Sequence, residues 1–331
     1  MKFGSVPLNE AAGAILAHSV AVVEGRLQKG LMLEACHLDQ LRAAGIGEVT
    51  VARLEPGDLG EDAAAARLAG ALAEGASGIV LGNPGTGRVN LIAEGPGIVR
   101  LNAAAIHAAN AADPMITIAT VPDLHQTRAD GLIATVKIIS YAVPEAAVEM
   151  ACTAARGAVR LAAPRLRNAS LIVTEIAGRV AKKDNGAISG RLEALGMTLD
   201  EELRVPHDSD AIARALVRAK GEMVLILTAS ATSDVNDTGP AGLRAAGGEV
   251  TRVGIPVDPG NLLFLGALGP RPVIGLPGCA RAPALNGADW VLARIACGIE
   301  VGAEDIAAMG VGGLLKEIPS RPMPRRGKTS A

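Results

Sequence analysis

From about residue 165 onward, short apolar runs alternate with stretches whose apolar residues recur at helical spacing. Residues 170–175 form one apolar run and 223–228 a denser one, the pattern of strands buried on both faces. Between and after them, Ile188, Leu192 and Leu195 share a helix face that Gly196 closes. Ile212, Leu216 and Val217 share another, started by Asp208 or Ser209. Further strands are predicted over 199–205, 249–255 and 272–276. Further helices are predicted before Ala246-Gly247-Gly248 and over 283–297, where Leu285, Ala288, Leu292 and Ile295 lie on one side. Such alternation predicts a three-layer α/β/α unit around a mostly parallel sheet, spanning 165–312.

The pattern in 1–164 is mixed α+β. Helices are predicted over 9–17, capped by Asn9, over 38–44, closed by Gly45, and over 61–74, closed by Gly75. Residues 48–51 read as a strand, and Glu55-Pro56-Gly57-Asp58 as a turn. Residues 78–143 are strand-rich, with runs at 79–81, 98–101, 116–121 and 132–140 punctuated by Gly and Pro. Pro144 suits the first turn of a helix reaching about Leu161, and Ala162-Ala163-Pro164-Arg165 reads as the boundary between domains. Residues 313–331 form a tail whose basic, Pro-rich part from 318 is a solvated end or a docking arm.

Composition narrows the function. Apolar residues make up 49% of the 331 and aromatics 1%, so the cores are aliphatic and bases have few rings to stack on. A net charge of −2 leaves no electrostatic footprint for nucleic acid. Mean hydropathy is high, at +0.32, yet no run approaches the roughly 18 apolar residues of a membrane span. The run 11–23 is preceded by Glu10 and broken by His18 and Ser19, unlike a secretion signal. Cys36, Cys152, Cys279 and Cys297 form no CxxC pair, which fits reduced thiols in the cytoplasm.

In open α/β sheets ligands bind beyond the carboxyl ends of the strands, which selects the loops after Glu175, Thr228 and Leu276. The second runs Ala229, Ser230, Ala231, Thr232, Ser233, Asp234, Val235, Asn236, Asp237. Small side chains ahead of a helix start suit a phosphate, and Asp234 and Asp237 are candidates to hold Mg²⁺. Capping of that helix by Asp237 or Thr238, with a solvated Asp234, is the competing reading. The third loop offers Pro277, Gly278, Cys279 and Arg281, with Pro259, Gly260 and Asn261 in a turn upstream. Arg281 is either a phosphate fork or a surface arginine, and Cys279 either a ligand contact or a small spacer. Gly82-Asn83-Pro84-Gly85-Thr86-Gly87-Arg88 lacks the Gly-Lys-Ser/Thr ending of a phosphate loop and reads as a hairpin turn. His207 is a proton shuttle or a surface residue.

Four segments in fixed order carry a resemblance: Val205-Pro206-His207-Asp208, Thr228 to Asp237 before Pro240, Pro259-Gly260-Asn261, and Ile274-Gly275-Leu276-Pro277-Gly278. Over 167–298 they resemble the molybdopterin-binding domain shared by gephyrin, the molybdopterin molybdotransferases and the molybdopterin adenylyltransferases of the MoaB/Mog type. Val6-Pro7-Leu8-Asn9-Glu10-Ala11 and 38–51 resemble molybdotransferase segments more faintly. The whole chain, with 134–139 and 309–322, resembles the module that precedes a cofactor cytidylyltransferase-type domain in bacterial fusions. The transferase loop Leu-Ala-Ala-Gly-x-x-x-Arg-Met-Gly does not occur in it.

The resemblance implies a molybdopterin ligand, in some relatives adenylylated through ATP, with Mg²⁺ and molybdate as co-substrates. It implies catalytic roles for Asp208, Asp234 and Asp237, and ligand contacts from Thr228 through Ser233. A homo-oligomer and a separate cofactor nucleotidyltransferase as partner are further expectations from it. This chain departs from the family pattern at Ala229-Ser230, where Gly-Gly is usual, at Cys279, where Asn is usual, and at Asn236-Asp237, where Arg-Asp is common. These departures leave three functions open: an enzyme of cofactor assembly, a non-catalytic carrier, and a nucleotide-binding protein of the competence-damage type.

Overall fold

In the computed structural model, which describes residues 1–178 and 185–315, the chain forms two units, Met1–Gly95 with Val99–Leu161 and Pro96–Ile98 with Ala162–Ala331. The tail expected from 318 lies outside the described residues.

The first unit holds two aliphatic cores. Leu8, Leu16, Leu33, Leu41 and Val51 fill one, beside a sheet in which Glu48–Arg53 lies between Lys2–Pro7 and Ile15–Leu16. The helix expected over 9–17 is replaced by a 3-10 turn, Leu8–Glu10, with Pro7 rather than Asn9 at its cap. Gly13, at φ 70°, turns the chain, and Ile15 and Leu16 pair with Ala52 and Val51. Pairing across the sheet outweighs the local helical spacing.

The second core packs helices Glu61–Leu72 and Glu145–Ala155 on an antiparallel sheet ordered Ile116–Thr120, Leu132–Ile138, Arg88–Ala93, Ile79–Leu81. Residues 82–87 join the last two strands as a hairpin. The helix from Glu145 ends at Ala155 instead of reaching Leu161, because Gly157 (φ 62°) redirects the chain into a strand, Val159–Ala162.

The second unit is α/β. Its elements are β1 (Asn168–Glu175), α1 (Gly186–Glu193), β2 (Thr198–Pro206), α2 (Ser209–Arg218), β3 (Met223–Leu227), α3 (Thr238–Ala245), β4 (Glu249–Val253), β5 (Phe264–Leu268), β6 (Arg271–Leu276), α4 (Gly287–Ala296) and α5 (Ala303–Ala308). The strands form one sheet in the order β2-β1-β3-β6-β5-β4. Strands β2, β1, β3 and β6 run parallel, whereas β5 runs against both its neighbours. The sheet is therefore mixed, and β5 is the strand that the sequence pattern did not predict: its apolar run follows the Pro259-Gly260-Asn261 turn without alternation.

Ile172, Val224, Ile226 and Val273 meet Ile212, Leu216 and Leu243 on one face. Alternate residues point to the other face, where α1 packs on β2 and α4 on β6. Phe264 enters from β5, and its ring occupies space that only glycines leave open. A Cβ at Gly275 would lie 1.9 Å from it, and one at Gly239 2.8 Å. Gly275 is thus required for packing.

Candidate functional site

The three parallel strands β1, β3 and β6 end on the same rim, and a cavity of about 660 Å³ opens there. Val173, Thr174, Glu175 and Ile176 line it from the end of β1 and Arg204 from β2. Residues 228–231 follow β3, residues 277–279 and Arg281 follow β6, and 258–262 supply a further wall. Of the residues expected at a site, the cavity gathers Thr228, Ala229, Ser230, Ala231, Pro259, Gly260, Asn261, Pro277, Gly278, Cys279 and Arg281. Thr232, Ser233, Asp234, Asp237 and Asp208 are not among its lining residues.

The acids are engaged by backbone. Asp208 caps α2 by accepting from the Ala211 N–H at 2.9 Å. Asp237 caps α3, accepting from Thr238 N–H at 2.8 Å and from Ser233 N–H at 3.0 Å. The Ser233 bond is the main cause holding its carboxyl below the usual carboxylate range. Asp234 accepts from Asn236 N–H at 2.8 Å. None of the residues of this loop takes a positive φ, so Ala229 and Ser230 sit without strain where the family pattern has glycines.

Deeper in the rim, polar side chains connect. Thr174 Oγ1 accepts from Ala229 N–H at 2.8 Å and lies 2.9 Å from His207 Nδ1. His207 Nε2 lies 2.7 Å from Ser230 Oγ. Thr228 donates its hydroxyl to the Ser230 carbonyl at 2.6 Å.

The wall after β6 is organised by Arg191, a residue outside the motif segments. Arg191 is buried in α1 and spends its guanidinium on loop backbone. It donates to the carbonyls of Ala280 (2.8 Å), Ala282 (2.9 Å), Ala284 (2.9 Å) and Ala187 (3.0 Å), and pairs with Asp289 at 2.6 Å. A signal was present: Arg191 falls on the apolar stripe of Ile188, Leu192 and Leu195, where a charge needs a buried partner. The arginine fixes the loop that carries Cys279 and Arg281.

Arg281 donates to Asn185 Oδ1 at 2.8 Å, and buried Asn185 donates to Glu202 at 2.9 Å. Glu202 and Glu175 are taken by Arg204, at 2.5 and 2.8 Å. Among the described residues no carboxylate lies within ion-pair range of Arg281. Burial, followed by repulsion from Arg204, lowers its pKa from the ordinary value. A half-buried guanidinium whose bonded partner is an amide oxygen, with Glu202 acting on it only at longer range, is suited to receive an anion.

The third wall is pinned twice. Pro259 O accepts from Gly287 N–H at 2.8 Å, and Asp258 N–H donates to Gly313 O at 2.8 Å. Gly260 has φ 135°, and a Cβ there would lie 2.6 Å from Gly287 N. No side chain is accommodated at that approach.

Residues 5–53 match a family described as a domain of unknown function (DUF8806). No curated protein matches the chain by sequence. Among solved structures, the chain is similar to a molybdopterin biosynthesis MoeA protein from Pyrococcus horikosii, at 14% identity and TM-score 0.28, over 84% of this chain and 70% of that one. A CinA protein of unknown function from Thermoplasma acidophilum matches at 18% identity and TM-score 0.29, over 35% of this chain and 90% of that one. A MogA structure matches at 21% identity and TM-score 0.26, over 40% and 91%. No helix among the described residues is long and apolar enough to cross a membrane.

Proposed function

We propose that the second unit binds molybdopterin, or a nucleotide-bearing form of it, in the rim cavity, as a holding protein in molybdenum cofactor biosynthesis. The observation that carries this reading is Arg281, a guanidinium in the wall of a cavity of about 660 Å³ with no carboxylate in ion-pair range among the described residues. That volume falls in the range of small-molecule sites. The four motif segments meet around the rim: three contribute cavity walls, and the fourth, through His207, reaches Ser230.

In this reading Arg281 takes the terminal phosphate, the backbone at Ala229, Ser230 and Gly278 lies alongside it, and residues 259–261 flank the pterin. Asp208, Asp234 and Asp237 belong to the alternative, enzymatic reading, with Asp234 and Asp237 on Mg²⁺. As oriented, both Asp237 oxygens and one Asp234 oxygen accept backbone N–H groups. None of the three acids lines the cavity, and their backbone bonds hold them as caps and turns. The carrier reading is favoured for that reason.

Anaerobic purification from a cofactor-producing host, iodine oxidation and fluorescence detection should release a pterin from the wild type. Arg281→Gln should retain at most about a tenth as much, the loss of one charge-assisted contact, with an unchanged unfolding midpoint. Equal pterin in both proteins would remove Arg281 from the site, and none in the wild type would end the proposal. Pterin-loaded protein that consumes ATP or cleaves an adenylylated pterin would restore the enzymatic reading.

A further inference from the structure

Two polar side chains meet beside the cavity: His207 Nε2 lies 2.7 Å from Ser230 Oγ. Ser230 stands where the family pattern has a glycine, and Thr174 stands on the other side of the imidazole, 2.9 Å from Nδ1. The first link and the burial of Thr174 together favour one direction for this chain of hydrogen bonds. A backbone N–H can only donate, and Ala229 N–H donates to Thr174 Oγ1 at 2.8 Å. Thr174 is buried, so its own proton has to go to an acceptor, and His207 Nδ1 is the one within reach. A neutral imidazole accepting at Nδ1 carries its proton on Nε2 and donates it to Ser230 Oγ. The Ser230 hydroxyl proton is then left to point onward, and Ser230 lines the cavity.

We infer that Thr174, His207 and Ser230 form a one-way relay that presents a fixed O–H donor to the cavity, selecting ligands that place an anionic or carbonyl oxygen there. The ligand class, a phosphate-bearing one, rests on the function proposed above. The relay itself does not. Ser230 is the contact, and Thr174 and His207 are positioning residues.

The imidazole ¹⁵N spectrum of the intact protein at pH 8 tests the relay without any ligand, with the His207 signals identified by their loss in His207→Gln. The Nε2–H tautomer is expected, and Thr174→Val should abolish that preference. An Nδ1–H tautomer in the wild type, or an unaltered tautomer in Thr174→Val, overturns the relay. Titration with inorganic phosphate tests the contact: Ser230→Ala should weaken binding about tenfold, and equal affinity overturns the role of Ser230. Failure of wild-type protein to bind phosphate removes the oxygen-ligand assignment together with the proposed pocket, while the tautomer still decides the relay.

Discussion

The two neighbouring loops that line the cavity after β3 and β6 are held in different ways. The loop after β3 is tied over its later part by its own residues, Asp234 to Asn236 and Asp237 to Ser233 and Thr238, with Thr174 and His207 holding Ala229 and Ser230 at its start. The loop after β6 is tied by a side chain far away in sequence, because Arg191 collects carbonyls from Ala280, Ala282 and Ala284. The first loop can keep its shape through short Asx-type bonds that form with little chain closure. The second depends on the packing of α1 against α4 through the Arg191–Asp289 pair. A locally built wall and a remotely built wall should therefore respond differently to damage.

Arg191→Met should break the remote wall with the largest effect. It leaves the partly buried Asp289 without its cation and strands several carbonyls, at a cost of about 3 kcal/mol. Urea unfolding measures this loss, and a change below about 1 kcal/mol would show that the β6 loop stands without its arginine. Gly275→Ala attacks the ring that wedges between the two sides. The new methyl would meet Phe264 at 1.9 Å, an overpacking cost of about 1–3 kcal/mol. Combining it with Phe264→Leu should cost less than the two changes added, since the clash is then relieved. Strict additivity would dissociate the glycine from the ring.

The smallest effect belongs to the local wall. Asp237→Asn keeps a competent cap but loses the charge at the N-terminus of α3, which should cost about 0.3–1 kcal/mol at neutral pH. The Asp237 carboxyl is held below its ordinary pKa, so its stabilisation is complete above the unfolded-state value. It fades as pH falls through the lower folded-state value. The difference between wild type and Asp237→Asn, followed by unfolding at pH 7 and at progressively lower pH, should shrink toward acid. A gap that grows in acid would contradict the assignment.

Much of the second unit was readable from its residues alone, because strand and helix periods leave their mark locally. Apolar runs gave β1 and β3, stripes gave α1 and α2, and Gly196 and Gly247 marked helix ends at φ 69° and 84°. The rim was readable too, since the loops after parallel strands are set by strand direction. Tertiary structure decided what depends on distant partners. It turned residues 15–16 into a strand by pairing them with Ala52 and Val51, and it reversed β5 against β6. It also brought Thr174, His207 and Ser230 into one hydrogen-bonded line and gave Arg191 its carbonyls. Hydrophobic period encodes which face of an element is covered, but not which distant element covers it, and buried polar groups find their partners only once that choice has been made.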